Sequence, residues 1–99
     1  MTFNWDDEKN HLLKRTRNIG FEDIIVAIQE GDLVDVVEHP KTERYPNQRI
    51  YLVAYRNYVY AVPSVRNAET DEIFLKTIFP SRRYTRTYLD DAGRSDCDE

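Results

Sequence analysis

Residues 49–65, RIYLVAYRNYVYAVPSV, decide the fold. Two runs rich in β-branched and aromatic residues, RIYLVAY and YVYAVPSV, flank the dipeptide Arg56-Asn57. Two such runs joined by two residues are the pattern of an antiparallel hairpin. Arg56-Asn57 makes a plausible tight turn, although without glycine it is not the best one. Pro63 has no N–H to give to a ladder, which implies an edge or an irregular end for the second strand.

Working outward, LVDVVEH (33–39) is another β-branched run, and KTERYPNQ (41–48) is a polar loop broken by Pro40 and Pro46. Downstream, NAETDE (67–72) reads as a loop and IFLKTIF (73–79) as a further strong strand. The N-terminal third has helical periods instead, after a short strand at 2–4. WDDEKNHLLKRTR (5–17) spaces Trp5, Lys9, Leu12 and Leu13 along a helix with acids early and bases late, and Asn18 or Gly20 can stop it. GFEDIIVAIQEG (20–31) puts Phe21, Ile24, Ile25 and Ile28 on one face, with Gly31 closing it. At the other end, SRRYTRTYL (81–89) reads as a helix capped by Ser81, with Tyr84, Tyr88 and Leu89 as its inner stripe. The expected fold is therefore α+β: two N-terminal helices, an antiparallel sheet of about four strands, and a C-terminal helix. One domain spans 1–89, and 90–99 form an acidic, disordered tail.

Ninety-nine residues suit one small core, and 40% apolar content is too much for a disordered polar chain. One cysteine, Cys97, excludes an intrachain disulfide. Without a long apolar run or a cationic–apolar leader, the chain is expected to be soluble and cytoplasmic, with no membrane contact. The net charge of −4 is regional. Residues 90–99 hold five acids and one arginine, while 74–89, FLKTIFPSRRYTRTYL, hold Lys76, Arg82, Arg83 and Arg86 and no acid. Such asymmetry bears on partners more than the total does. A tail that shields the cationic segment in cis is one expectation, and a merely solubilising tail is the plainer one.

No glycine-rich phosphate loop, metal-ligand spacing or serine-nucleophile elbow is present, and no cofactor is expected. What remains is a basic-aromatic set: Lys76, Arg82, Arg83, Tyr84 and Arg86 near the end, and His39, Lys41, Arg44, Tyr45 and Arg49 around the central loop. Arginine and lysine hold phosphate, and tyrosine stacks on unpaired bases. Cleavage of RNA by its own 2′-hydroxyl needs a proton acceptor, a cation for the crowded phosphate and an acid for the leaving oxygen, and no metal. Each of these residues also has an ordinary reading. His39 fits a loop histidine, Lys76 a water-facing strand position, the three arginines a solvated helix face, and Tyr84 and Tyr88 a core stripe.

The opening Phe3-x-Trp5-Asp6-x-x-Lys9-Asn10, a second helix starting Phe21-Glu22, and a strand followed by Ser81-Arg82-Arg83 and a basic helix resemble the BrnT family of bacterial toxins over residues 3–89. The resemblance implies a fold similar to RelE and ParE toxins and a ribonuclease activity within a type II toxin–antitoxin system. It also implies neutralisation by a ribbon-helix-helix antitoxin that binds operator DNA. On this chain it implies that Arg49, Arg82 and Arg83 match arginines of the family, and in the toxin reading these three hold the phosphate. From the basic-aromatic set, His39 then leads for proton transfer, with Tyr84 or Lys76 behind it, and Arg44, Tyr45 and Arg86 would contact RNA. Thr16-Arg17-Asn18 stands where the family usually has Lys-His-Gly, and the family's basic residue of the last strand aligns nearer Thr77 than Lys76. A decayed toxin that only binds its antitoxin and a gyrase-poisoning relative are the rival readings.

Overall fold

The computed structural model describes residues 2–38, 43, 44 and 47–90. In chain order it comprises β1 (Thr2–Trp5), α1 (Asp7–Arg17), α2 (Phe21–Gln29), β2 (Leu33–Glu38), β3 (Gln48–Tyr55), β4 (Tyr58–Asn67), β5 (Glu72–Leu75), β6 (Phe79–Pro80) and α3 (Arg82–Thr85). A π-helical turn, Arg86–Asp90, continues α3. The sheet runs β1-β5-β4-β3-β2, with β6 paired to β4.

The β3–β4 hairpin is the centre of the sheet, and its turn is the two residues Arg56 and Asn57, both left-handed with φ of 54° and 64°. Two consecutive residues in that region are a type I′ turn, whose twist matches that of the strands it joins. Strands β2 to β5 form the expected four-stranded antiparallel meander. The sheet as a whole is mixed, however, because β1 joins its edge parallel to β5. β1 and β2, joined through α1 and α2, stand at the two edges of the β1-β5-β4-β3-β2 order.

Two expectations for the strands are corrected. Pro63 sits inside β4, opposite Ile50, not at an edge or an end. IFLKTIF is not one strand: it pairs as β5, breaks at Lys76–Ile78, and resumes as β6. The two facts have one cause. The Pro63 carbonyl accepts from Lys76 N–H at 2.8 Å, so that side of Pro63 faces the break. The N–H that proline lacks belongs on this same side, and a neighbouring strand cannot continue its ladder past it.

Alternation along the strands gives two faces. One carries Val53, Val62, Ile73 and Leu75, packed with Leu13, Ile19, Phe21, Ile24, Ala27 and Ile78. The other carries Leu52, Val59 and Ala61 beneath Tyr84, Tyr88 and Leu89. Helices α1 and α2 thus cover one face and α3 the other, and each fully buried aliphatic side chain contributes about 1.5–3 kcal/mol. The C-terminal stripe of Tyr84, Tyr88 and Leu89 packs inward as its spacing indicated. The stripe expected of α1 does not hold: Trp5 belongs to β1, Leu12 is 41% exposed, and Asn10 and Leu13 face inward.

The helix ends follow from capping. Asp6 accepts from Glu8 N–H at 3.0 Å at the start of α1, and Asn18 ends it in the left-handed conformation. Buried Asn10 serves the next helix: its Oδ1 accepts from Phe21 N–H at 2.8 Å, and its Nδ2 donates to both oxygens of Glu22 at 3.1 Å. Lys14 pairs with the same carboxylate at 3.2 Å. Gly20 lies so close to this group that a Cβ there would stand 2.5 Å from Lys14 Cε and 2.7 Å from Glu22 Oε1. Asn10 and its hydrogen bonds hold the Glu22 carboxyl below the usual carboxylate range. Among the described residues no helix is long and apolar enough to cross a membrane.

Candidate functional site

The residues singled out by chemistry fall into two groups on opposite faces of the sheet. Counting outward from the two-residue turn pairs Tyr55 with Tyr58 and Arg49 with Ser64. Arg49, Tyr51, Ser64 and Arg66 share the face covered by α1 and α2, at the end of the sheet away from the turn. There they line a small cavity of about 60 Å³ with Asn47 and Ile73. Ile73 and Tyr51 also border the apolar core, so the cavity has an apolar floor and a cationic rim.

Its polar groups are held in different ways. Ser64 is 2% exposed and donates to the Val62 carbonyl at 3.0 Å. Arg66 pairs with Asp71, Nη2 to Oδ1 at 2.8 Å and Nε to the same oxygen at 2.9 Å. Arg49 is exposed and makes no ion pair among the described residues. Burial pushes the Tyr51 phenol up, with the charges of Arg49 and Arg66 opposing it, so at neutral pH this hydroxyl is a donor.

The second group lies on α3. Ser81 caps that helix by accepting from Tyr84 N–H at 3.2 Å, and Ser81 N–H donates to the Val59 carbonyl. Arg82, Arg83 and Arg86 are exposed, and none pairs with a carboxylate among the described residues. Tyr84 is half-buried: its ring stacks with Tyr88 at 6.2 Å, packs on the cluster of Leu52, Val59 and Ala61, and lies 5.6 Å from the Arg83 guanidinium. Buried Thr85 fixes the helix to the sheet, its Oγ1 accepting from Val59 N–H at 2.8 Å. Tyr88 donates to Asp35 at 2.7 Å; that bond holds the Asp35 carboxyl low and raises the phenol.

Arg49 is therefore not brought together with Arg82 and Arg83. Ser64, opposite Arg49, is five residues along β4 from Val59, opposite Ser81; this is about 17 Å of strand, with the two groups on different faces. Lys76 is exposed at the break after β5 and belongs to no strand, so strand register does not assign it a face. Arg44 is exposed in a turn. His39, Lys41 and Tyr45 lie outside the described residues, as does the segment 91–99. Arg66, Tyr51, Ser64 and Asn47 were missed by the reading of sequence, although the turn alone places Arg66 two residues past the partner of Arg49. Neither a family model, nor a curated protein, nor a solved structure matches the chain.

Proposed function

We propose that the protein is a ribonuclease toxin of a type II toxin–antitoxin system, with a RelE/ParE-like fold, neutralised by a ribbon-helix-helix antitoxin. The observation that carries the RNA reading is the α3 surface. Three exposed guanidiniums, Arg82, Arg83 and Arg86, stand free of carboxylates among the described residues, in a segment without an acid. Unpaired cations are what a phosphodiester chain binds, and Tyr84, between Arg83 and Tyr88, packs that helix against the sheet. In this reading the 2′-hydroxyl of RNA attacks the adjacent phosphate, the P–O5′ bond breaks to give a 2′,3′-cyclic phosphate and a 5′-hydroxyl, Arg82 and Arg83 hold the developing charge, and His39 takes the 2′ proton and returns it to the leaving 5′-oxygen.

Purified full-length protein is expected to cut total RNA in the presence of excess chelator, with or without ribosomes. Intact RNA under both conditions would remove the nuclease from consideration. Cells making the Arg82→Ala/Arg83→Ala protein should regain growth at unchanged protein level; arrest that persists would detach these arginines from the activity.

One observation favours a second reading, a non-catalytic module that keeps only its antitoxin contact. The three arginines expected to share one phosphate are divided between two faces. That reading expects tight antitoxin binding and no growth arrest.

A further inference from the structure

Arg49, expected beside Arg82 and Arg83, lies instead in the cavity at the open end of the hairpin, which the α3 reading does not use and which has the features of a site. We propose that Arg49, Arg66 and Tyr51 form a binding site for a single phosphate-type oxyanion, on the sheet face opposite α3. Register brings the two cations together: Arg49 faces Ser64 across the ladder, and Arg66 is the next residue of β4 on that face. Diagonal cross-strand neighbours of this kind stand about 7–8 Å apart, so two long guanidinium side chains reach one point between them. The Tyr51 hydroxyl adds a neutral donor from the cavity wall. All three groups donate, which suits a ligand made of acceptors.

The cavity, about 60 Å³, is small and has room for a compact ligand such as a tetrahedral oxyanion. Two carboxylates oppose the anion and set its affinity. Asp71 takes Nε and Nη2 of Arg66, leaving Nη1, and it also fixes the orientation of that fork. Glu38 is the direct cross-strand partner of Arg49 on β2. Ser64 already donates to Val62, so it shapes the wall and is not counted as a donor.

The phosphoryl group can come from a free small phosphate or from the end of an RNA chain. The full-length protein titrated with inorganic phosphate at low salt, followed by backbone amide NMR, should show saturable shifts at 47–51, 64–66 and 73. Arg49→Gln should weaken this binding roughly ten-fold or more, the loss of a hydrogen bond to a charged group. Arg82→Gln/Arg83→Gln should leave it unchanged, and Asp71→Asn should tighten it. No saturation, or equal weakening by Arg49→Gln and Arg82→Gln/Arg83→Gln, would overturn the site. A short RNA with a 3′-phosphate is compared with the same RNA ending in a hydroxyl. Tighter binding of the first at these amides assigns the site to an RNA end, and equal binding assigns it to a free oxyanion. The site does not depend on the nuclease reading, since phosphate binding is measured without RNA cleavage.

Discussion

Asn10 does the work of a cap for a helix that is not its own. Its side chain is 5% exposed, and removing it leaves the N–H of Phe21, itself fully buried, without a partner. Asn10→Ala should therefore cost about 1–3 kcal/mol in a denaturant titration, more than a surface substitution on the same helix. Glu22 gives a second test through pH. Its folded-state pKa is depressed, chiefly by Asn10, so the stability it adds is present above the unfolded carboxylate value of about 4.5. That stability is lost as pH falls through the lower folded value. The advantage of the native protein over Glu22→Gln should accordingly shrink between pH 6 and the acid limit of its folding, as read from melting temperatures at stepped pH. The opening residues Trp5, Asp6 and Asn10 have structural tasks at this scale. Trp5 stacks on Phe21 at 5.8 Å, Asp6 caps α1 and Asn10 caps α2. These residues build the joint between the helices and the sheet edge, so they speak for a fold and not for a reaction.

At the scale of elements, α3 is short, and one buried hydrogen bond ties it to the sheet beside its packed tyrosines. Thr85 Oγ1 is the acceptor for the N–H of Val59 inside the sheet. Thr85→Val keeps the shape and orphans that N–H, which should cost about 1–3 kcal/mol. It should also speed hydrogen exchange at Val59 ahead of its neighbours, and unchanged exchange there would dissociate α3 from the sheet contact. The hairpin was legible because a two-residue turn determines register, and alternation then assigns every side chain to a face. The cavity was hidden for a related reason. Arg49 and Arg66 are 17 positions apart, and only the register shows that they are neighbours. The broken last strand was not legible because its cause lies in another strand: IFLKTIF has every local property of one strand, and Pro63 interrupts it from across the ladder. The parallel pairing of β1 was likewise invisible, since four residues carry no signal of their partner's direction.

For the whole molecule, the distribution of charge between two faces matters more than the net −4. Helices α1 and α2 and helix α3 claim opposite sides of the sheet, so cations that looked like one cluster in the chain become two surfaces with different neighbours. One is a small cavity in which a carboxylate already holds one of the arginines. The other is an open helix face whose arginines have no carboxylate partner among the described residues. An extended polyanion and a compact one would be taken by different faces. If single-stranded RNA lies on α3, each arginine it neutralises releases counterions and adds about 0.7 to the slope of log K against log salt. Arg82→Gln/Arg83→Gln should then lower that slope by about 1.4 while leaving the fold intact. Arg49→Gln, on the other face, should not change it. A slope that fell only in Arg49→Gln would move the RNA to the cavity face and remove α3 from the interaction.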